Sequence, residues 1–375
     1  MIRLKINHLL FILFIISWNI GDLINNQNDD FKYIFLFINI LYLICNYKRN
    51  KKLNQGKLLL NLLFFIVPLF IYSLFLQVLA HSFSFQTIKD FLYILSPILY
   101  VYLIVESEEE GNFDFYFNVE FFAATLTFLL RALPILTPSN ILSISFLNSY
   151  SPFEGIGNAD VFFVLFFYYA INKKKSMKWI SFILLFLSFK RIHVVFAVML
   201  IILQPFFEKN KDKKVNSLIF YLTIAFFLVS PSVLILIYNN NFENWFYKEF
   251  GMKLDAFTMG RVTTLNYVID SNRTNLGLGS ISDFLAKARM INPYLADDLH
   301  NDIMRIYLEG TVVSLWLMVV NYFSLTKRNL YNYLMVLFAF LVMFSSHILT
   351  TCIFWIFAFL FIMSNNLNMD SKREE

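Results

Sequence analysis

The chain has 375 residues, of which 58% are hydrophobic and only 15% are charged. Soluble domains carry about 25% charged residues, and 46 phenylalanines present more apolar surface than one water-soluble core can bury. The net charge of +5 does not indicate nucleic-acid binding, because the basic residues lie in short clusters between apolar runs. Cys45 and Cys352 both lie inside apolar runs, which argues against a disulfide or a zinc site.

Apolar runs predict an all-α, polytopic transmembrane bundle. A helix needs about 20 residues to cross ~30 Å of hydrocarbon, and lipid leaves backbone groups no other hydrogen-bond partners. In chain order, twelve predicted spans cover residues 6–21, 32–47, 58–79, 91–105, 118–135, 159–172, 177–189, 191–207, 217–238, 302–323, 330–346 and 349–364. The seventh and eighth form a tight hairpin around Ser188–His193; if they are one broken helix, the topology after them inverts.

Lysine and arginine cluster in the loops of one side, at residues 48–57, 173–178, 209–214 and 327–328. Because cytoplasmic loops are enriched in basic residues, both termini are predicted to be cytoplasmic in a bacterial inner membrane. Among the inner loops, the acidic segment at 106–114 departs from this pattern. Three segments follow: N-terminal helices at 1–238, a periplasmic loop at 239–301, and C-terminal helices with a cytoplasmic tail at 302–375. Within the loop, Arg261–Asp270 and Ile281–Met290 predict short helices.

Two basic elements are candidate sites for an anion. Lys190 and Arg191 lie at the outer face, against the charge trend, and Arg261 opens a helix after Gly260. A guanidinium fork suits a diphosphate, and the N–H groups of a helix N-terminus favour anions. The competing interpretations are a basic pair that anchors the hairpin to lipid headgroups and an ordinary surface arginine.

His300 precedes the tenth span, and a neutral imidazole there suits a general base. The alternative is a polar residue at a helix start that Asp297 or Asp298 caps. Arg305 and Glu309 share a helix face and are expected to pair, a structural role that competes with anion binding by Arg305. Arg273 is a further candidate for the anion.

These elements, in this order, resemble the bacterial O-antigen polymerase and O-antigen ligase family over roughly residues 155–325. The similar elements are Ser188-Phe189-Lys190-Arg191, Gly260-Arg261, Gly277-Leu278-Gly279-Ser280, His300-Asn301 and Glu309-Gly310. Two departures concern the basic element, which has an extra Lys190 and no glycine after Arg191. A third is the missing second glycine after Glu309-Gly310.

The resemblance implies a multi-span membrane glycosyltransferase that uses undecaprenyl-diphosphate-linked oligosaccharide and needs neither cofactor nor metal. Lys190, Arg191, Arg261, Arg273 and Arg305 are expected to bind the diphosphate. Arg191 and Arg261 also stabilise the leaving group, and His300 deprotonates the acceptor hydroxyl. The favoured activity is a polymerase for O-antigen or capsule. The alternatives are a ligase acting on the lipid A core and a flippase. The family also implies a chain-length regulator, although no residue indicates where it binds.

Overall fold

The computed structural model describes residues 5–24, 31–47, 57–108, 113–144, 151–154, 156, 158–188, 190–210, 213–237, 240–258, 260–293, 295–296 and 298–374. This part of the chain is predominantly helical and contains no β-strand, only an isolated bridge between Lys214 and Asn329. Helices α1 to α17 span Ile6–Ile24, Phe31–Cys45, Lys57–Leu79, Phe85–Ser107, Asp114–Ala132, Pro138–Leu142, Ala159–Ile171, Lys175–Ser188, Arg191–Lys209, Ser217–Ile237, Asn240–Phe250, Leu254–Phe257, Arg261–Asp270, Ser280–Ile291, Asp302–Ser324, Leu330–Met343 and Cys352–Glu374.

Each of the twelve predicted spans coincides with one of these helices, which confirms the all-α class. Among the described residues, six helices are long and apolar enough to cross a membrane: α3, α4, α5 (extended to Ile135), α9, α10 and α15. Five further helices contribute apolar stretches of 10–17 described residues, and α8 is not among either group, so the count of twelve stays a prediction. The surface of α10 suits lipid, because exposed apolar side chains recur every three or four residues. These are Leu218, Leu222, Phe226, Val229, Val233 and Leu236.

The chain divides into two compact units. The first comprises Met1–Leu60, Pro97–Asp212 and Ile353–Glu375, and every residue of α7 from Ala159 to Tyr169 is buried. Phe117 of α5 stacks on Tyr168 of α7 with ring centroids 3.6 Å apart. Side chains on all faces of α7 are thus packed against protein, which explains why its sequence is apolar throughout.

Hydrogen bonds in the first unit show how α7, α8 and α9 run. Asp114, which begins α5, accepts a hydrogen bond from Tyr168 near the end of α7 and pairs with Lys174 just before α8. At the opposite end, the Ser151 hydroxyl, upstream of α7, donates to the carbonyl of Leu187 near the end of α8. Helices α7 and α8 are therefore antiparallel. The predicted hairpin joins α8 and α9, and Lys178 near the start of α8 donates to Gln204 near the end of α9 at 3.5 Å, as antiparallel helices require. Phe189, in the turn of this hairpin, lies outside the described residues.

The second unit comprises Asn61–Ser96 and Lys213–Cys352 and contains the predicted external loop. The two short helices predicted in that loop are confirmed as α13 and α14. Leu265 and Val268 of α13 and Ile281 and Leu285 of α14 form a buried apolar cluster with residues that include Met304 of α15. The amphipathic loop helices thus lie against the N-terminal part of α15.

Candidate functional site

A buried ionic cluster surrounds Arg305 in the second unit. Its guanidinium is inaccessible to solvent and lies 3.1 Å from Asp90, 3.2 Å from Asp298, 3.8 Å from Glu309 and 3.9 Å from Asp302. A buried charge has to be paired to be tolerated, and here four carboxylates surround one arginine. The expected pair with Glu309 is present, although its charged atoms are further apart than those of the contacts to Asp90 and Asp298.

His347 extends this cluster toward the surface from the connection between α16 and α17. Its Nδ1 lies 2.7 Å from Asp302, and its Nε2 lies 2.9 Å from the Thr350 hydroxyl and 3.4 Å from Asp298. Burial lowers the pKa of His347, but the negative charge of Asp302, together with that of Asp298, outweighs burial and Arg305 and raises the pKa above its ordinary value of 6.5. The two carboxylates thus favour the protonated imidazole.

Glu309 connects the cluster to the predicted Gly-Leu-Gly-Ser turn. Its Oε1 accepts a hydrogen bond of 2.9 Å from the N–H of Ile281, in the first turn of α14. Gly277 and Gly279, both with positive φ, pack against the backbones of Ser73 and Gln86–Thr87, where a Cβ would come within 3 Å. Helix N-termini favour anions, and at α14 this anion is supplied by the protein itself. The turn therefore serves to dock the loop on α3 and α4.

A break in α15 makes this docking possible. Gly310 and Thr311 leave helical geometry, so the carbonyls of Leu308 and Glu309 accept hydrogen bonds from Asn275 and Gly277 at 2.6 and 2.8 Å. Thr311 has φ +64°, a conformation that favours glycine and costs a β-branched residue about 1–3 kcal/mol. Thr311 is thus strained, and it lies in the stretch after Gly310 where the resemblance lacks a second glycine.

A second ionic cluster lies in the first unit, at the start of α7 and α9. Asp160 is buried and lies 2.5 Å from His193 Nε2 and 3.1 Å from Lys190 Nζ. The charge of Lys190 is therefore compensated within the protein. Arg191 follows as the first residue of α9, and its Nε is buried without a hydrogen-bond acceptor among the described residues. An unpaired buried donor costs about 1–3 kcal/mol, which an anionic ligand would offset.

The remaining predicted residues lie in the second unit. Arg261 is the first residue of α13, after Gly260 with φ +79°, and is half-buried. Arg273 is exposed, with its guanidinium 5.5 Å from the ring centroid of Phe284. His300 is exposed just before α15. Asn301 caps that helix by accepting from Met304 N–H; Asp298 binds Arg305 instead, and Asp297 lies outside the described residues.

Several members of the two clusters were not identified as candidates from the sequence, namely Asp90, Asp160, Asp302, His193 and His347. One signal was available for Asp90 and Asp160, since acidic residues within or beside apolar runs are costly and usually have partners. His347 carries no such signal, because only the fold brings it to Asp302, 45 residues earlier in the chain.

Among the described residues, no group of three or more His, Cys, Asp or Glu side chains is arranged to hold a metal ion. The fold is an all-α bundle whose apolar helices have the composition of a membrane protein. A comparison with protein-family models finds no match, and a comparison with curated proteins finds no relative.

Proposed function

We propose that the chain is a membrane glycosyltransferase that joins polyprenyl-diphosphate-linked oligosaccharide units into a surface polysaccharide. The acceptor is then the end sugar of another lipid-linked unit. The apolar helices suit a lipid-linked substrate, and the basic elements of the sequence suit its diphosphate. The ligase reaction, with a lipid A core as acceptor, is the alternative outcome of the experiment below.

The proposal rests on the surroundings of Arg191 in the structure. Its charge is permanent, its Nε is buried without an acceptor among the described residues, and it lies at the N-terminus of α9. A cation at this end of a helix opposes the helix dipole, so an anion bound there relieves both the unpaired donor and the unfavourable dipole interaction. A diphosphate supplies several acceptor oxygens in the geometry that a guanidinium binds with two parallel hydrogen bonds.

The role of Arg191 in the reaction follows from where charge develops. When the acceptor oxygen attacks the anomeric carbon, the bond from that carbon to the diphosphate oxygen breaks, and the diphosphate leaves with the electron pair. A guanidinium held at the diphosphate stabilises this growing negative charge. Arg261 begins a helix after a glycine in the same way and is the second predicted ligand, to be tested by its own variant.

The test compares surface polysaccharide from a deletion strain with that from strains carrying the wild-type gene or Arg191→Ala. We expect deletion to remove the long ladder on a gel and leave single repeat units. Arg191→Ala should lower polymer formation roughly 10- to 100-fold, since a hydrogen bond to a charged group contributes about 1.5–3 kcal/mol. Lys287→Ala, which removes an exposed lysine paired with Asp283, is the matched control and should leave the ladder intact.

Other outcomes contradict the proposal in different ways. Polymer that accumulates on the lipid carrier indicates a ligase. Single repeats trapped on the cytoplasmic side indicate a flippase and exclude the enzymatic function. Normal polymer from Arg191→Ala, with the protein present in the membrane, removes Arg191 from the mechanism.

A further inference from the structure

Asp302, His347 and Thr350 are arranged as a carboxylate, an imidazole and a hydroxyl in line. The Asp302 Oδ1 lies 2.7 Å from Nδ1 of His347, and the opposite ring nitrogen, Nε2, lies 2.9 Å from the hydroxyl of Thr350. In the neutral imidazole, a proton on Nδ1 is donated to the carboxylate. Nε2 is then left as the acceptor that faces the hydroxyl. This is the order of groups that activates hydroxyls in many hydrolases and transferases.

The carboxylate of Asp302 is fixed in place. Its second oxygen accepts hydrogen bonds of 2.7 Å from both Ile348 N–H and Leu349 N–H, and the side chain is inaccessible to solvent. The backbone that carries His347 is therefore tied to the same carboxylate that orients its ring. Such support selects one tautomer and one ring orientation, which is the role that a buried acid plays beside a catalytic histidine.

His347 and Asp298 are the partly accessible members of the cluster. The side chain of His347 is 24% exposed and that of Asp298 is 18% exposed, whereas those of Asp90, Arg305, Asp302 and Glu309 are at most 2% exposed. The buried members hold the cluster together, and His347 forms part of its accessible edge. His300 is exposed on the segment that leads into α15.

We infer that His347 is the general base that takes the proton from the acceptor sugar hydroxyl, with Asp302 as its positioning residue. This inference rests on the proposed glycosyl transfer and replaces His300 in the role that the sequence predicts. The hydroxyl of Thr350 shows where an alcohol lies at Nε2, and the acceptor hydroxyl takes an equivalent position.

The transfer forms one carbon–oxygen bond, breaks another and moves one proton. The acceptor oxygen forms its bond to the anomeric carbon, the carbon–oxygen bond to the diphosphate breaks, and the hydroxyl proton moves to Nε2. The imidazolium, bonded to Asp302 through Nδ1–H, then releases that proton to water. Asp302 and Asp298 favour the transient positive charge, and Arg305, with Nη1 3.3 Å from Nδ1, opposes it.

The experiment uses the full-length protein in membrane vesicles, with the lipid-linked repeat unit that accumulates in the deletion strain as both donor and acceptor. His347→Asn keeps an amide N–H that can bond Asp302 but has no base. We expect it to lower kcat by about 10²–10⁴-fold while Tm changes little, because this is the usual contribution of a general base. His347→Ala should be equally inactive and should regain activity on addition of imidazole. Lys287→Ala is the matched control and should keep the wild-type rate, and His300→Ala is assayed beside it to compare the two histidines.

This inference is overturned if His347→Asn retains activity. It is also overturned if folded His347→Ala is inactive and imidazole does not restore its activity. Both results leave the proposed glycosyl transfer unaffected. Loss in His300→Ala with imidazole rescue assigns the base to His300 and has the same consequence. A wild-type protein that forms no glycosidic bond in these vesicles overturns both the proposed function and the inference.

Discussion

Arg305 illustrates how a single buried charge organises residues that are distant in the sequence. The arginine lies in α15, yet its shortest ion pair is with Asp90 of α4, 215 residues away. Removing one partner of a buried pair leaves the other charge uncompensated and typically costs about 3–5 kcal/mol. The Nε atoms of Arg305 and Arg191 are both buried without a hydrogen-bond acceptor among the described residues, but the charge of Arg305 is already compensated by four protein carboxylates. Of these two predicted diphosphate ligands, Arg191 is the better candidate.

At the same scale, Glu108 supports a prediction about pH. Burial raises its pKa, but hydrogen bonds from Tyr116 and His8 and the charge of Lys5 outweigh burial, so the pKa is lowered from 4.5. A lowered folded-state pKa contributes stability that is present above the unfolded value and lost as pH falls through the folded one. Glu108→Gln should therefore lower the free energy of unfolding by about 1 kcal/mol at neutral pH, and the difference should disappear in acid.

Thermal unfolding in detergent between neutral pH and values below 4.5 measures this. Asp283→Asn is the control: it breaks an exposed i,i+4 pair with Lys287, which contributes only about 0.3–0.5 kcal/mol. A Tm difference between wild type and Glu108→Gln that persists unchanged into acid would contradict the role of the carboxylate.

At the scale of elements, docking of the loop on the second unit depends on two glycines and a broken helix. A Cβ at Gly277 would lie 2.5 Å from the carbonyl oxygen of Ser73, in addition to the strain of φ +89°. Gly251 has φ +66° but no neighbour within 4 Å of the same added atom. Substitutions at Gly251 and Gly277 therefore distinguish the effect of backbone strain from the effect of close packing against a neighbouring carbonyl.

We expect Gly251→Ala to cost about 1–2 kcal/mol, the usual penalty for a left-handed residue, and Gly277→Ala to cost clearly more because the carbonyl must also move. Trypsin cleavage at the exposed Arg273 reports undocking of the loop. It should become faster in Gly277→Ala and stay near the wild-type rate in Gly251→Ala. Equal cleavage rates in the two variants would show that the close approach to α3 is not what holds the turn.

At the scale of the whole molecule, contacts within each unit join helix ends that the predicted topology places on the same side of the membrane. In the second unit, the start of α4, the start of α15 and the connection before α17 meet at the Arg305 cluster. Val215 before α10 bonds the carbonyl of Arg328 between α15 and α16. Loops predicted for one side of the membrane thus contact loops predicted for the same side.

Which side is which can be measured by cysteine labelling. In a Cys45→Ala background, where the remaining Cys352 is buried, Lys253→Cys should react with an impermeant maleimide added from the periplasmic side. Lys209→Cys, at the end of α9, should react only after the membrane is disrupted, because basic loops stay in the cytoplasm. Both substituted positions are exposed. The reverse labelling pattern would invert the orientation and place the loop in the cytoplasm.

The sequence alone determined the helical class, the approximate position of each apolar helix and the two short helices, predicted at 261–270 and 281–290. Hydrophobic run length and local turn residues encode these features, and both are properties of neighbouring residues. The tertiary structure decided which charges meet. Asp90 and His347 are brought to Arg305 by helix packing, and no local pattern records a partner more than 40 residues away, whereas Asp302 lies three residues before Arg305 on the same helix. The tertiary structure also placed the carboxylate of Glu309 at the N-terminus of α14. The sequence does not show that this anion site is already occupied by the protein's own side chain.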